Sequence, residues 1–192
     1  MPDRTKGIDT PFTAADARSL RAGDSVRLNG VIYTARDAAH QRLTAALARG
    51  EQAPLPLRDQ VIYSVGPTPA TAGRVIGPAG PTTSGRLDPF TAPLLAAGVR
   101  GFIGKGHRSA AIVAALAAHS AVYFAAIGGA AALLARHIVA SEIVAYPDLG
   151  TEAIRALTVR DFPVIVINDC FGGDAYQAGR ARYEKRPPAG GE

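Results

Sequence analysis

The sequence predicts an α/β fold with a mixed sheet and flanking helices, and three observations support this class. Short apolar runs typical of strands alternate with alanine-rich runs of helical period along most of the chain. The 192 residues are 47% hydrophobic and 19% charged, a composition that suits one folded core. An Asn29–Gly30 pair inside an alternating stretch predicts a two-residue hairpin, and therefore an antiparallel part of the sheet.

The elements follow in an order set by glycine, proline and polar boundaries. Strands are predicted at 24–36 (as the hairpin), 61–65, 99–106, 121–127, 138–146 and 162–169. Helices are predicted at 37–50, 87–98, 108–119, 129–137 and 149–157. In the first helix, Asp37 is the expected N-cap and Gly50 the stop signal. We expect a single domain at 12–175, after a loose lead-in at 1–11 and before a flexible basic tail at 176–192.

Charge and composition argue against several classes of protein. The net charge is +5, but the basic residues are scattered and tryptophan is absent, so nucleic-acid binding is not predicted. A mild positive charge suits a small anionic substrate equally well. Residues 109–135 carry no fixed charge, but they include His119, Ser120 and a Gly-Gly pair. They are expected to form buried elements rather than a membrane span.

The cysteine and histidine content predicts no metal site on this chain. Cys170 is the single cysteine, so the chain can form no internal disulfide and no cysteine-ligated metal site. The four histidines lack metal-ligand spacing. The N-terminus lacks the apolar core of a signal peptide, and a cytoplasmic location is the expectation that follows.

Cations and hydroxyls are predicted at several junctions between strands and helices. The loop GPAGPTTSGRLDPF at 77–90 contains Thr82, Thr83 and Arg86, while Arg36 follows an earlier strand and Lys105 lies in a glycine turn. Ligands of α/β proteins favour the carboxyl ends of strands, and helix N-termini favour anions. Two arginines, a lysine and hydroxyls would suit a small dicarboxylate. Taken singly, each basic residue is more simply read as an ordinary surface charge, and this alternative is weaker for Lys105 because its flanking glycines let the backbone approach a ligand.

Six sequence blocks, in one order, resemble a known family. They are TARDAAHQRL (34–43), YSVGPTPA (63–70), IGPAGPTTSGRLD (76–88), GFIGKG (101–106), AIGGAAAL (126–133) and TEAIRALTVRDFPVIVIND (151–169). Residues 12–175 are similar to the beta subunit, or C-terminal beta region, of iron–sulfur class I fumarases and L(+)-tartrate dehydratases. The resemblance implies a swivelling β/β/α type of fold and a hydro-lyase acting on a dicarboxylate.

The resemblance also implies a partner and a cofactor. In this family a 4Fe–4S cluster acts as a Lewis acid, and its cysteines belong to an alpha region that this chain lacks. The expectation is a separate alpha subunit that carries the cluster, with the active site at the interface between the subunits. An exposed apolar patch is expected where that subunit docks, and a homodimer contact can cover it in the isolated chain.

The family's motifs assign roles residue by residue. Arg36, Arg86 and Lys105 would bind substrate carboxylates and stabilise the charge that builds as a carbon-bound proton leaves. Thr82 would be the catalytic base, although a hydroxyl is a weak base that needs activation. The supporting residues, behind those that touch substrate, would be Asp37, His40 and Thr83.

Two other functions stay open at this point. One is a dicarboxylate-binding or interaction module without a catalytic partner, and the other is a stand-alone hydro-lyase without a cluster. The sequence also leaves open whether the substrate is fumarate, tartrate or a methylated fumarate.

Overall fold

The computed structural model describes residues 5–185 and confirms the α/β class. Seven strands form one mixed sheet, with helices packed against it. The strands are β1 (Lys6–Asp9), β2 (Ser25–Thr34), β3 (Val61–Tyr63), β4 (Gly101–Gly104), β5 (Val122–Ala125), β6 (Ile138–Ala145) and β7 (Ile154–Asn168). The helices are α1 (Ala14–Ser19), α2 (Asp37–Ala48), α3 (Asp88–Ala96), α4 (Ala110–Ala118), α5 (Ala131–Ala135) and α6 (Ala175–Tyr183).

The strand pairing closes five strands into a ring. The order is β1-β2-β3-β4-β5-β7-β6, and β2 also pairs with β7. Strands β2 to β5 are parallel neighbours, whereas β7 runs antiparallel to both β2 and β5. Because β2, β3, β4 and β5 run the same way, their carboxyl ends share one end of the ring. Loops that leave this end can therefore meet.

Alternate residues of the short strands supply two separate cores, since successive side chains of a strand point to opposite faces. Tyr63 and Phe124 belong to one buried cluster, to which the ring strands β2 to β5 and β7 all contribute. Ile62 and Tyr123 belong to the other, together with Leu43 of α2 and further leucines of α3 and α4. Burial of each large apolar side chain contributes about 1.5–3 kcal/mol. The helices α2, α3 and α4 are thereby fixed on the outside of the ring.

The hairpin predicted at Asn29–Gly30 is wrong. Strand β2 continues through both residues, and its register with β7 shifts between Leu28 and Gly30. Gly30 has a φ of 101°, and a Cβ there would overlap Thr10 Oγ1. The Asn-Gly pair therefore lies at a bulge in β2 that packs against Thr10, and it does not form a turn. The sheet is mixed because of β7.

The helix predicted at 149–157 is also wrong. A 3-10 turn spans Pro147–Glu152, and β7 begins at Ile154 rather than at Phe162. Gly150 interrupts the turn with φ 60° and ψ −114°. Residues after it pair with β2 on one side and β6 on the other, so strand pairing outweighs the helical propensity of alanine and leucine.

Regular structure also extends into both predicted flanking segments. Strand β1 lies within the predicted lead-in, and α6 covers the start of the predicted tail. Helix α1 was not predicted, although Thr13 and Asp16 form a capping box at its start. The remaining parts of the lead-in and tail, 1–4 and 186–192, lie outside the described residues. No helix within 5–185 is long and apolar enough to cross a membrane.

Candidate functional site

The segment that carries Thr82 lies between the extensions of β3 and β4. The Thr82 N–H donates to the Ser64 carbonyl at 2.7 Å, and the Lys105 N–H donates to the Thr82 carbonyl at 3.2 Å. The Ser84 N–H then donates to the Lys105 carbonyl at 2.9 Å. These bonds form a short ladder beyond the carboxyl ends of β3 and β4. The structure therefore brings Thr82 beside Lys105, far from it in sequence.

Gly104 allows this close approach. A Cβ at Gly104 would overlap Ser84 Oγ and lie 3.3 Å from the Thr82 carbonyl oxygen. From beneath, the Tyr123 hydroxyl hydrogen-bonds the Gly106 carbonyl at 2.9 Å and Ser84 Oγ at 3.2 Å. Burial raises the pKa of Tyr123 to about 12, so the phenol keeps its proton. The loop backbone is fixed on both sides of Thr82.

Arg36, Asp37 and Arg86 form one cluster at the start of α2. The Arg36 Nε atom lies 3.2 Å from Asp37 Oδ2, and Arg86 Nη2 lies 2.9 Å from the same oxygen. Burial alone raises the pKa of Asp37, but the Arg36 hydrogen bond and the charges of Arg86 and Arg36 hold it below its usual value. Asp37 is thus an anion that holds two predicted substrate-binding arginines together, and it is not the N-cap, which is Arg36.

Glu152 is part of this cluster and was missed from the sequence. Its Oε1 lies 3.4 Å from Arg36 Nε, and its Oε2 accepts the Ala38 N–H at 2.8 Å. One carboxylate therefore orients Arg36 and satisfies a free N–H in the first turn of α2, which the Arg36 side chain does not cap. The contact spans 114 residues of sequence. No local sequence pattern indicates this contact, and the segment that contains Glu152 was predicted to be part of a helix at 149–157.

His40 supports Arg36 from the interior. Its side chain is 1% exposed, and Nδ1 lies 2.9 Å from the Arg36 carbonyl oxygen. Burial lowers the pKa of His40 to about 4, although its hydrogen bond to the Arg36 carbonyl acts in the opposite direction; the charge of Arg108 lowers the pKa as well. Because a carbonyl only accepts, the neutral ring must carry its proton on Nδ1. The supporting role of His40 stays a prediction.

We expect the stability of the chain to fall between pH 6.5 and about pH 4 because of His40. In this window the unfolded chain binds a proton at His40 and the folded chain does not, so stability rises with pH. The loss between pH 7 and pH 4 from this group is about 3 kcal/mol. His40→Asn keeps a donor for the Arg36 carbonyl but cannot titrate, so its denaturation midpoint should fall less steeply on acidification.

The control for this prediction is Gln41→Ala, an exposed change on the same helix, which should keep the wild-type pH slope. Urea denaturation at half-unit pH steps provides the measurement. Parallel curves for wild type and His40→Asn would contradict the assignment.

The polar side-chain groups of two predicted site residues have no partner among the described residues. Within 5–185, neither the Lys105 ammonium nor the Thr82 hydroxyl makes a hydrogen bond or an ion pair. Lys105 is exposed and extends past Gly128, where a Cβ would lie 3.7 Å from its Cδ. Thr83 is exposed as well. The Lys105 ammonium and the Thr82 hydroxyl are therefore free to contact a ligand. Thr82 lies a few residues before the 3-10 turn Gly85–Leu87, which contains Arg86.

A largely buried ion pair holds the start of α3. Arg108 Nε lies 2.6 Å from Asp88 Oδ1, and Asp88 Oδ2 accepts the Ser109 N–H at 2.9 Å. Asp88 begins α3 directly after Arg86 and Leu87, while Arg108 follows the Lys105 turn. The pair links the two backbone segments that carry Arg86 and Lys105.

The chain does not provide the ligands for a 4Fe–4S cluster. Such clusters are held by several cysteine thiolates, and Cys170 is the single cysteine. It is buried, burial raises the pKa of its thiol, and its Sγ lies 3.5 Å from the Ala17 carbonyl. No group of three or more His, Cys, Asp or Glu side chains among the described residues could hold a metal ion.

Comparison with known proteins decides the family. The family described as Fumarase C-terminus matches residues 4–179. This chain belongs to that family. The predicted family and its beta-type region are thereby confirmed.

The curated relatives fall into two groups by length. The aerobic class I fumarate hydratase of Escherichia coli K12 is 40% identical over 152 residues, covering 78% of this chain and 28% of that protein. The putative class I fumarate hydratase of Geobacillus stearothermophilus is 37% identical over 175 residues, 88% of this chain and 33% of that protein. The chain thus spans about a third or less of these relatives.

A third relative matches along nearly its whole length. The putative L(+)-tartrate dehydratase subunit beta of Methanocaldococcus jannaschii is 36% identical over 181 residues. The match covers 91% of this chain and 93% of that protein. A separate polypeptide of this size therefore occurs in the family under the name of a subunit.

Proposed function

We propose that this chain is the beta subunit of a dicarboxylate hydro-lyase. The reaction is the hydration of fumarate to L-malate or the dehydration of tartrate to oxaloacetate. The observation that carries the proposal is the match over 93% of a putative L(+)-tartrate dehydratase subunit beta. The placement of Arg36, Arg86, Lys105 and Thr82 near the carboxyl ends of β2 to β4 supports it.

We propose further that the active site is completed by a separate alpha subunit. Relatives about three times longer carry additional sequence that this chain lacks. The 4Fe–4S cluster would be held by that subunit, because this chain offers a single buried cysteine. A cytoplasmic location remains a prediction.

In this proposal the cations of the chain bind the two substrate carboxylates. Arg36 and Arg86 each use one nitrogen on Asp37, which leaves other guanidinium N–H groups to donate to a carboxylate. Lys105 supplies a third positive charge. Hydration adds a hydroxyl to one carbon and a proton to the other, and the reverse step removes both.

Thr82 is proposed to transfer the proton at carbon. Removal of that proton leaves negative charge on the adjacent carboxylate, which the bound arginines and lysine stabilise. The Thr82 hydroxyl has no partner within 5–185. The group that activates it would therefore come from the substrate or the alpha subunit.

Activity of the chain with and without its partner tests the proposal. The chain would be co-produced with a cysteine-bearing alpha protein, sought first in the reading frames beside its gene. The pair would be reconstituted anaerobically and assayed with fumarate, tartrate and a methylated fumarate. We expect turnover of at least one acid by the pair and none by either protein alone. Turnover by this chain alone would instead identify a stand-alone enzyme, and binding without turnover by the pair a binding module.

Glu152→Gln is expected to lower kcat/KM of the pair about tenfold, mainly by raising KM. The glutamine oxygen can still accept the Ala38 N–H, but the charge beside Arg36 is lost. The unfolding free energy should change by less than about 1 kcal/mol.

Asp148→Asn is the matched control for Glu152. Asp148 lies on the same 3-10 turn and pairs with Arg42 of α2 at 2.8 Å, outside the cluster. Kinetics of this control should match wild type. An unchanged KM in Glu152→Gln would exclude a role for Glu152 in placing Arg36.

A further inference from the structure

A second concave site lies next to Arg36. The Arg36 side chain packs against Gly66, where a Cβ would lie 3.2 Å from Arg36 Nη1 and 3.5 Å from the Thr151 carbonyl oxygen. Pro67 and Thr151 line a cleft of about 430 Å³. None of Arg36, Thr82, Arg86 and Lys105 lines this cleft. The cleft is therefore distinct from the proposed substrate-binding residues, although Thr151 lies next to Glu152 of the Arg36 cluster in sequence.

The lining of the cleft is apolar apart from one cation and two threonines. Its walls are mainly proline and aliphatic side chains, including Val75 and Ile143, which are 49% and 41% exposed at the surface. Arg155 supplies the cation, Thr68 joins Thr151 as a hydroxyl residue, and the lining contains no aspartate or glutamate. The positive charge of the cleft is therefore not balanced by its own lining.

Arg155 lacks the carboxylate partner that two other arginines of low exposure have. Its Nε is buried without a hydrogen bond, and Nη1 reaches Ser141 Oγ at 3.5 Å, the limit of a hydrogen bond. Within 5–185 it forms no ion pair. By contrast, Arg100 and Arg108 each have a carboxylate oxygen at 2.6 Å. The unsatisfied Nε is too enclosed for a ligand to reach, so what Arg155 offers the cleft is a guanidinium charge that no carboxylate within 5–185 balances.

We infer that the Arg155 cleft binds a small organic carboxylate with a short apolar body. The planar guanidinium suits a carboxylate, the threonines can donate to it, and the aliphatic walls suit the rest of the molecule. The volume lies within the usual range of small-molecule sites. The cation lines a concave cleft together with aliphatic side chains, which favours a small molecule that enters the cleft over a flat protein contact. This inference does not depend on the proposed hydro-lyase activity.

Binding of 3-methylbutanoate to the full chain tests the inference. Titration calorimetry should detect millimolar or tighter binding by wild type and no binding of the neutral 3-methylbutanamide. Arg155→Leu should weaken binding of the acid at least about tenfold, since a charge-assisted hydrogen bond is lost. Arg86→Ala, which alters the other cluster, should bind it within about twofold of wild type.

A second variant keeps the test decisive if Arg155→Leu does not fold. Ile143 is the cross-strand partner of Arg155, and its side chain is partly exposed. Ile143→Glu should place a carboxylate beside Arg155 and block the acid, because directly opposed residues of an antiparallel pair lie in contact. Absence of binding by wild type, or equal binding by a folded Arg155→Leu variant, would overturn the inference. A third outcome would also overturn it: if no acid binds and Arg155→Leu associates more weakly with the alpha protein, Arg155 belongs to the subunit contact.

Discussion

Arg86→Ala is expected to lower kcat/KM of the reconstituted pair at least about 100-fold while the chain stays folded. Arg86 is proposed to bind a substrate carboxylate that gains negative charge in the transition state, so its loss affects both binding and turnover. In the free chain Arg86 forms an exposed ion pair with Asp37. Such pairs contribute about 0–1 kcal/mol, and the unfolding free energy should change no more than that.

Arg42→Ala is the matched control for Arg86. Both side chains are similarly exposed, at 42% and 46%, and both pair with a carboxylate, but Arg42 lies away from the cluster. Steady-state kinetics and denaturation of both variants give the comparison. The Arg42 variant should retain wild-type kinetics, and Arg86→Lys should recover part of the lost activity because it keeps the charge without the planar fork. Wild-type turnover in Arg86→Ala would remove Arg86 from the proposed site.

Local sequence signals predicted most of the elements that position this site. The helix at 37–50 and the short strands at 61–65, 99–106 and 121–127 occur close to their predicted bounds, since apolar period and glycine boundaries act within a few residues. The two elements that were predicted wrongly, the hairpin at Asn29–Gly30 and the helix at 149–157, lie where distant pairing decides the structure. The Asn-Gly pair is held by Thr10 and by Asp161, whose N–H donates to Asn29 Oδ1 at 2.9 Å.

Local sequence signals also predicted only part of the candidate site. The three cations could be selected because each follows a strand or precedes a helix, whereas Thr82 was singled out among the loop hydroxyls by the family's motif. The structure places Arg86 on Asp37 beside Arg36, and Lys105 beside Thr82. Glu152 could not be selected, because its role depends on a turn folding back against α2. A composition pattern identifies cations that can bind an anion, but the carboxylates that orient them come from distant segments.

Thr82→Val should lower kcat of the pair about 100- to 10,000-fold with little change in KM, the range expected for loss of a proton-transfer group. Valine keeps the β-branched shape, and the backbone bonds from Thr82 to Ser64 and Lys105 do not involve the hydroxyl. The side chain is half-buried, and its hydroxyl is unbonded within the described part of the chain. The fold and the bound carboxylates should therefore be retained.

The pattern across three variants distinguishes proton transfer from a packing role. Thr82→Ser keeps a hydroxyl and should recover much of kcat, whereas Thr71→Val, at an exposed threonine of the preceding loop, should behave as wild type. If Thr82 only packs against the loop, Thr82→Val would be the milder change and Thr82→Ser the more harmful one, because serine loses the methyl group. That reversed order would assign the proton transfer to a residue of the alpha subunit, and Thr82 would remain a part of the ladder that carries Lys105.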